Sequence, residues 1–266
     1  MRDQSREQRC PALVTPDDTG SVPPPLTIDA VVDALQQRLD DLPETLAHRR
    51  TFVATYQRTT AAVGHAVADG FFEDPGWVIA WDVAFAELFL DAHDADLAGD
   101  PVPRPWRLAF AADPAMHPLG HLLLGMNAHI NYDLPQAVLA VVGDDDFTDP
   151  DLLALRDRDH ERIDAVLSAR VAAEDAELGG TRRLVDRLLA PANRWASRRF
   201  LRESRRKVWL NTAALQRARL AGPEAYAARL AELEVLSSAK IADLLRPGAV
   251  LLRLAVAGFG VTLPPE

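Results

Sequence analysis

A chain of 266 residues, 48% apolar and carrying a net charge of -10, has room for one large domain or two small ones around a sizeable core, and its acidic balance argues against a general nucleic-acid coat. A single cysteine, Cys10, excludes an internal disulfide and a cysteine-based structural zinc site. The opening MRDQSREQRC lacks the apolar core of a secretory signal, and no run reaches the ~18 uninterrupted apolar residues of a membrane span, so a soluble cytoplasmic protein is expected.

Ala, Leu, Arg, Asp and Glu dominate while Tyr and Ile are few, a mix that favours helix over sheet. Residues 1–27, with PALVTPDDTGSVPPPL, read as a flexible Pro-rich arm, and residues 28–266 as a single all-helical domain. Ile28 opens an amphipathic helix with Val31, Val32, Leu35 and Leu39 at helical spacing, and Pro43 marks its end. A longer helix is predicted from about Glu44 to Gly70, with Phe52, Tyr56, Val63 and Val67 on its inner side. Asp74-Pro75-Gly76 is a turn, after which Trp77, Trp81, Ala84, Phe85, Leu88 and Ala92 form the stripe of a helix reaching about Ala98. Trp106 to Phe110 fits either helix or extended chain.

The most apolar run, His121 to Val142, holds a polar box of Asn127, His129, Asn131 and Asp133 and is interrupted by Pro135. Helix is expected from about Pro118 to Asn131, then a kink or break, then helix from about Leu134 to Val142. Further helices are expected from Asp151 to about Leu178, stopped by Gly179-Gly180, then over Thr181–Leu189, from Pro191 or Ala192 to Leu220, and over Pro223–Leu245. VLLRLAVAGFG closes the chain as a last apolar segment, helix or strand, that docks on the core. Neither a fixed-period repeat nor a glycine-rich phosphate loop is present, so the predicted architecture is one multi-helix domain with a kinked, buried central helix.

Buried polar groups cost free energy unless they are hydrogen-bonded or hold a ligand, so the box is the candidate site. His129 and Asp133 are spaced i, i+4, as are His160 and Asp164 in DHERIDAVL, and on continuous helix each pair shares a face. The four together are candidate ligands for a divalent metal such as zinc, with Glu87 and Asp91 as further oxygen donors and a metal-bound water as the nucleophile of a hydrolysis. Without metal, His129 is an acid/base group oriented by Asp133 and assisted by Asn127 and Asn131, which suits isomerisation or cyclisation of a small biosynthetic intermediate. Trp81, Phe85, Met126 and Tyr132 are candidates to shape an apolar cavity beside it. Against these stand plainer roles: Asp133 as the cap of the helix from Leu134, the asparagines as partners of backbone freed by Pro135, and the whole as a non-catalytic ligand-binding or scaffolding protein.

Between Arg182 and Lys207 there are ten basic residues and two acids, Asp186 and Glu203. Arg198, Arg202, Arg205 and Trp209 fall on one helical stripe, which with Tyr132 offers a pocket for an anionic small-molecule substrate. The competing account is a solvated face, or arginines paired with the acids of DHERIDAVL. His117 and His121 are also i, i+4, while His65 and His93 stand alone. No nucleophile motif of the serine or cysteine hydrolases is present, and the oligomeric state is left open.

LLLGMNAHINYDLPQAV, DHERIDAVL, NRWASRRFLRESRRKVWLN and the terminal GFGVTLP together resemble an actinobacterial domain family of unknown function marked by an N-A-H-I-N-x-D-L-P box. The resemblance implies an all-helical cytoplasmic protein and brings no activity. A looser likeness is to the zinc-dependent phospholipase C and single-strand nuclease family, also all-helical, which uses His-x-x-x-Asp and His-x-x-x-Glu pairs as zinc ligands. Only His129 with Asp133 and His160 with Asp164 match that spacing, and the chain begins MRDQ rather than with that family's zinc-binding tryptophan. The likeness shows how such pairs can hold a metal on helices and assigns no phosphodiester chemistry.

Overall fold

The computed structural model describes residues 27–177, 184–248, Leu254 and 258–265, without the side chains of 168–177 and 184–202. All of the expected arm, residues 1–27, except Thr27, and the stop at Gly179-Gly180, lie outside the described residues. The fold is all-helical, as predicted, with no strand among the described residues.

Thr27 caps α1 (Ile28–Asp40), its hydroxyl accepting the Ala30 amide at 3.2 Å. The helix foreseen from Glu44 begins as a tighter 3-10 turn (Glu44–Arg49) before α2 (Arg50–Ala68). In α3 (Pro75–Ala98), Asp74 accepts the Trp77 amide at 2.9 Å, Pro75 sits in the first turn, and Gly99 ends the helix at φ 76°. The ambiguous stretch at Trp106 is helix, α4 (Arg104–Phe110). Next come α5 (Pro118–Ala128), a π-helical turn (His129–Asp133) and α6 (Leu134–Val141). Beyond a short 3-10 turn lie α7 (Pro150–Glu177), α8 (Leu184–Ala221) and α9 (Pro223–Leu244). The separate helix expected to end near Leu189 is instead part of α8, which runs on through Pro191.

The rod formed by α5, the π-turn and α6 is the centre of the molecule. On one side α2, α3 and α4 pack against it; on the other lie α8 and α9. Val138 and Leu124 on the rod are fully enclosed, and so are Phe89 and Trp106 opposite them. After α9 comes an extended strap, 258–265, whose Phe259 and Leu263 are buried, Leu263 packing with Leu215 of α8 and Leu233 of α9. No described helix is long and apolar enough to cross a membrane.

Candidate functional site

Pro135 decides the local backbone. It has no amide to donate and its ring crowds the carbonyl one turn back. The chain does not break there. It widens by one residue, so that the Leu134 amide bonds the His129 carbonyl five residues back. Such π-turns recur at functional sites because they re-aim side chains without ending the helix. The Gln136 side chain meets the Tyr132 carbonyl at 2.8 Å, and Thr212 from α8 donates to the Pro135 carbonyl at 3.3 Å.

The polar box is thereby divided between two faces of the rod. On the face toward α2, α3 and α4, His129 Nδ1 lies 2.9 Å from Asp133 Oδ2. The same oxygen accepts the Trp106 indole N–H at 2.8 Å. Asp133 therefore holds His129 in place, and makes no side-chain capping bond to α6. Five aromatic rings enclose the imidazole. Phe85 stacks on it, with centroids 3.5 Å apart, and Tyr56 meets it edge-on at 4.6 Å. Phe52, Phe89 and Trp106 complete the wall. Gly125 admits Phe52: a Cβ there would stand 2.5 Å from its ring.

His129 is 4% exposed and its Nε2 has no partner. Burial pushes the imidazole well below its usual range and the Asp133 carboxyl well above, with the Trp106 bond opposing the latter. Charge on either group alone is thus suppressed, and the pair is held together as a net-neutral unit. Two further groups belong to this centre. Burial pushes the Asp82 carboxyl up to about 7, and its Oδ2 is unpartnered. Burial, then the charges of Asp82 and Asp133, raise the Tyr56 phenol far above its usual range, while the neighbouring Thr60 hydroxyl works in the other direction.

The opposite face of the rod carries the asparagines. Asn127 and Asn131 both donate to the Phe259 carbonyl, at 3.4 and 3.1 Å, and Asn131 Oδ1 accepts the Val261 amide at 3.1 Å. Asn211 on α8 repeats the pattern two residues on: it donates to the Val261 carbonyl at 3.1 Å and accepts the Leu263 amide at 2.8 Å. Lys207 takes the Gly260 carbonyl at 2.9 Å and Arg229 that of Pro264. The amides serve the strap, not His129, and the backbone they satisfy is the strap's rather than that of the Pro135 region. Tyr132 is on this side too, packed with Leu139, Leu215, Leu233 and Leu263.

The remaining expected site residues fall elsewhere. His160 is buried, its ring 5.0 Å from Trp81 and 6.1 Å from the half-buried Trp209; burial, then Arg205, pushes it down to about 3. His160 and His129 lie against different rings of one α3 stack, Trp81 and Phe85, whose centroids are 6.2 Å apart. Arg205 binds Asp164 at 2.8 Å and Glu161 at 3.4 Å, the pairing with DHERIDAVL acids weighed against an anion pocket. The side chains of Arg198 and Arg202 lie outside the described residues. Glu87 and Asp91 share an exposed face of α3. Among the described residues no group of three or more His, Cys, Asp or Glu is placed to hold a metal, so the four expected ligands are not gathered into one cluster.

Four members of the His129 centre carry no role in the sequence reading: Trp106, Phe89, Asp82 and Thr60. Asp82 left a signal, since it lies four residues from both Val78 and Ala86, which are wholly buried. Trp106 and Thr60 left none that spacing can reveal.

Residues 28–247 match a family described as a family of unknown function, DUF5995. The chain belongs to that family. No curated protein and no solved structure matches it. Membership in DUF5995 covers every element from α1 to α9. It agrees with the resemblance drawn from the central box in carrying no assigned activity.

Proposed function

We propose that this DUF5995 protein is a small-molecule enzyme whose reacting group is the His129 imidazole, acting as an acid/base without metal. One observation carries the reading: His129 is fixed at Nδ1 by Asp133, itself fixed by Trp106, while Nε2 is left buried and unpaired. A buried nitrogen that costs free energy and meets no protein partner is the arrangement expected of a group kept for a ligand. Asp133 sets the tautomer, and the neutral imidazole that burial enforces accepts a proton at Nε2. The aromatic wall suits an apolar substrate and excludes water from the transfer, which fits isomerisation or cyclisation better than hydrolysis. The metal-assisted alternative is less well supported, because Asp133 and Asp164 are already engaged by Trp106 and Arg205.

The test compares wild type with His129→Asn in a small-molecule extract, following compounds by mass spectrometry. A compound consumed by the wild type and left intact by an equally folded variant is the expected result. Identical extracts after both incubations would sink the reading and leave the centre as structure alone.

A further inference from the structure

Beside the His129 centre is a small, partly open cavity of about 20 Å³, lined in part by Phe52, Phe89 and Trp106, three of the rings that touch His129. Its other wall is nitrogen-rich. Arg49, His93 and His121 line it, with His93 1% and His121 6% exposed. Nε2 of both histidines has no partner, nor has Nε of Arg49. The ring of His48 is 4.8 Å from that of His121 and lies beside the Phe110 backbone. This many buried, unmatched nitrogens on one wall is a debt in hydrogen bonds that an oxygen-rich ligand would settle. The arginine among them fixes the sign: its permanent charge repels a cation and attracts an anion.

Outside, between α1 and α3, is a larger cleft of about 280 Å³ lined by Gln37, Arg38, Asp41, His93, Asp94 and Leu97. His93 is common to the cleft and the cavity and is the residue at which the two meet.

We propose that Arg49, His93 and His121 form a binding site for the carboxylate of a small apolar acid, which enters from the α1–α3 cleft past His93. The cavity has room for about one water-sized group, so the acid group fits only as the His93 ring swings and the neighbouring rings part. The inference deepens the His129 reading and rests on it for the direction of the body, which extends along Phe89 and Trp106 toward the imidazole. Arg49 is partly balanced already, by Asp96 at 2.7 Å, and its guanidinium lies over the Phe110 ring at 4.5 Å. The histidines therefore supply much of the reception. His93 faces Asp94 on its own helix, Arg38 on α1 and Arg49; His121 faces His48 and Asp113. Burial holds both imidazoles below their usual range, so an arriving carboxylate draws in a proton, and binding tightens as the pH falls.

Benzoate, with benzamide as its uncharged counterpart, tests this by calorimetric titration of the full chain at pH 6 and pH 8. Benzoate should bind at pH 6 with a Kd below about 10 mM, about tenfold more weakly at pH 8, and about tenfold more weakly to Arg49→Gln or His121→Gln. Arg49→Lys, which keeps the charge, should retain most of the affinity, and circular dichroism of each variant separates lost binding from lost folding. No benzoate binding at pH 6, or equal binding of benzoate and benzamide, overturns the anion site. Equal binding that His129→Asn abolishes would do so while leaving the His129 reading standing. Benzoate binding that depends on Arg49, beside an extract comparison showing no difference at His129, would keep the anion site and remove the chemistry.

Discussion

Residues 127–133 present two faces of one turn, and the two are finished differently. On the asparagine face most amide atoms are matched: Asn131 closes both ends of its amide on the strap, Asn211 does the same two residues further along, and of these three asparagines only Asn127 leaves its oxygen open. On the histidine face, His129 Nε2, Asp82 Oδ2 and the Tyr56 and Thr60 hydroxyl oxygens are buried without a well-formed hydrogen bond. Both faces are equally removed from solvent, so exposure does not account for the contrast. Buried polar groups kept for structure are saturated, because each unmatched one costs about 1–3 kcal/mol. Groups kept for a ligand are left open at that cost. The asparagine face behaves as a clasp and the histidine face as a site.

The largest expected effect tests the clasp. Asn131→Ala removes two hydrogen bonds and leaves the Val261 amide without its partner. A loss of about 3 kcal/mol in denaturant unfolding is expected, with the strap amides losing hydrogen-exchange protection first. A loss under about 0.5 kcal/mol would mean that the strap is held by Phe259 and Leu263 alone, and the contrast between the faces would weaken.

A smaller effect of opposite sign is expected on the histidine face. Asp82 has its carboxyl raised to about 7, so between about pH 4 and pH 7 the folded chain binds a proton that the unfolded chain has released. That contribution is full at pH 4 and is lost as the pH rises through about 7. Asp82→Asn keeps the shape and removes the titration. It should leave stability at pH 4 nearly unchanged and raise it at pH 8 by about 2–3 kcal/mol, on about 1.4 kcal/mol per pH unit with allowance for relaxation. Destabilisation at both pH values would show that the carboxyl is matched in solution, and that the face is not open.

The sequence made part of this contrast readable. Alternation of apolar residues at helical spacing located α1 to α3, α5 to α7 and α9 closely, left α4 open between helix and extended chain, and four polar residues inside the most apolar run pointed to the rod. Pro135 announced a disturbance but not its form. Whether a proline kinks a helix or widens it by one residue depends on what the flanking turns pack against, and here Leu134 and Ala137 are fixed in the core. The split of the box into two faces was hidden for the same reason: its partners, Trp106 and Phe259, come from segments 27 and 128 residues from the box residues they bind. Arg49, His93 and His121 were illegible as a group, since each is a single residue on a different element and only the packing of the 3-10 turn before α2, of α3 and of α5 brings them to one cavity. The basic run on α8 was weighed as either pocket or paired surface, and Arg205 falls on the paired side.

That pairing gives the smallest effect and a control for the other two. Burial holds the Asp164 carboxyl up to about 6, with Arg205 pulling it down and Glu161 and Asp157 pushing it up. Arg205→Gln takes away the opposing charge, so the folded-state carboxyl titrates at still higher pH. Below about pH 4 Asp164 is protonated with or without the arginine, and the substitution should cost little there. As the pH rises past about 6 the wild type ionises beside a cation while the variant must ionise beside two acids, and the cost should grow to about 1 kcal/mol by pH 8. Because Arg205 reaches neither the strap nor His129, strap protection and benzoate affinity should both stay at wild-type values. A shift in either would mean that the α7–α8 contact and the central rod move together, and that the two faces of the box are not independent.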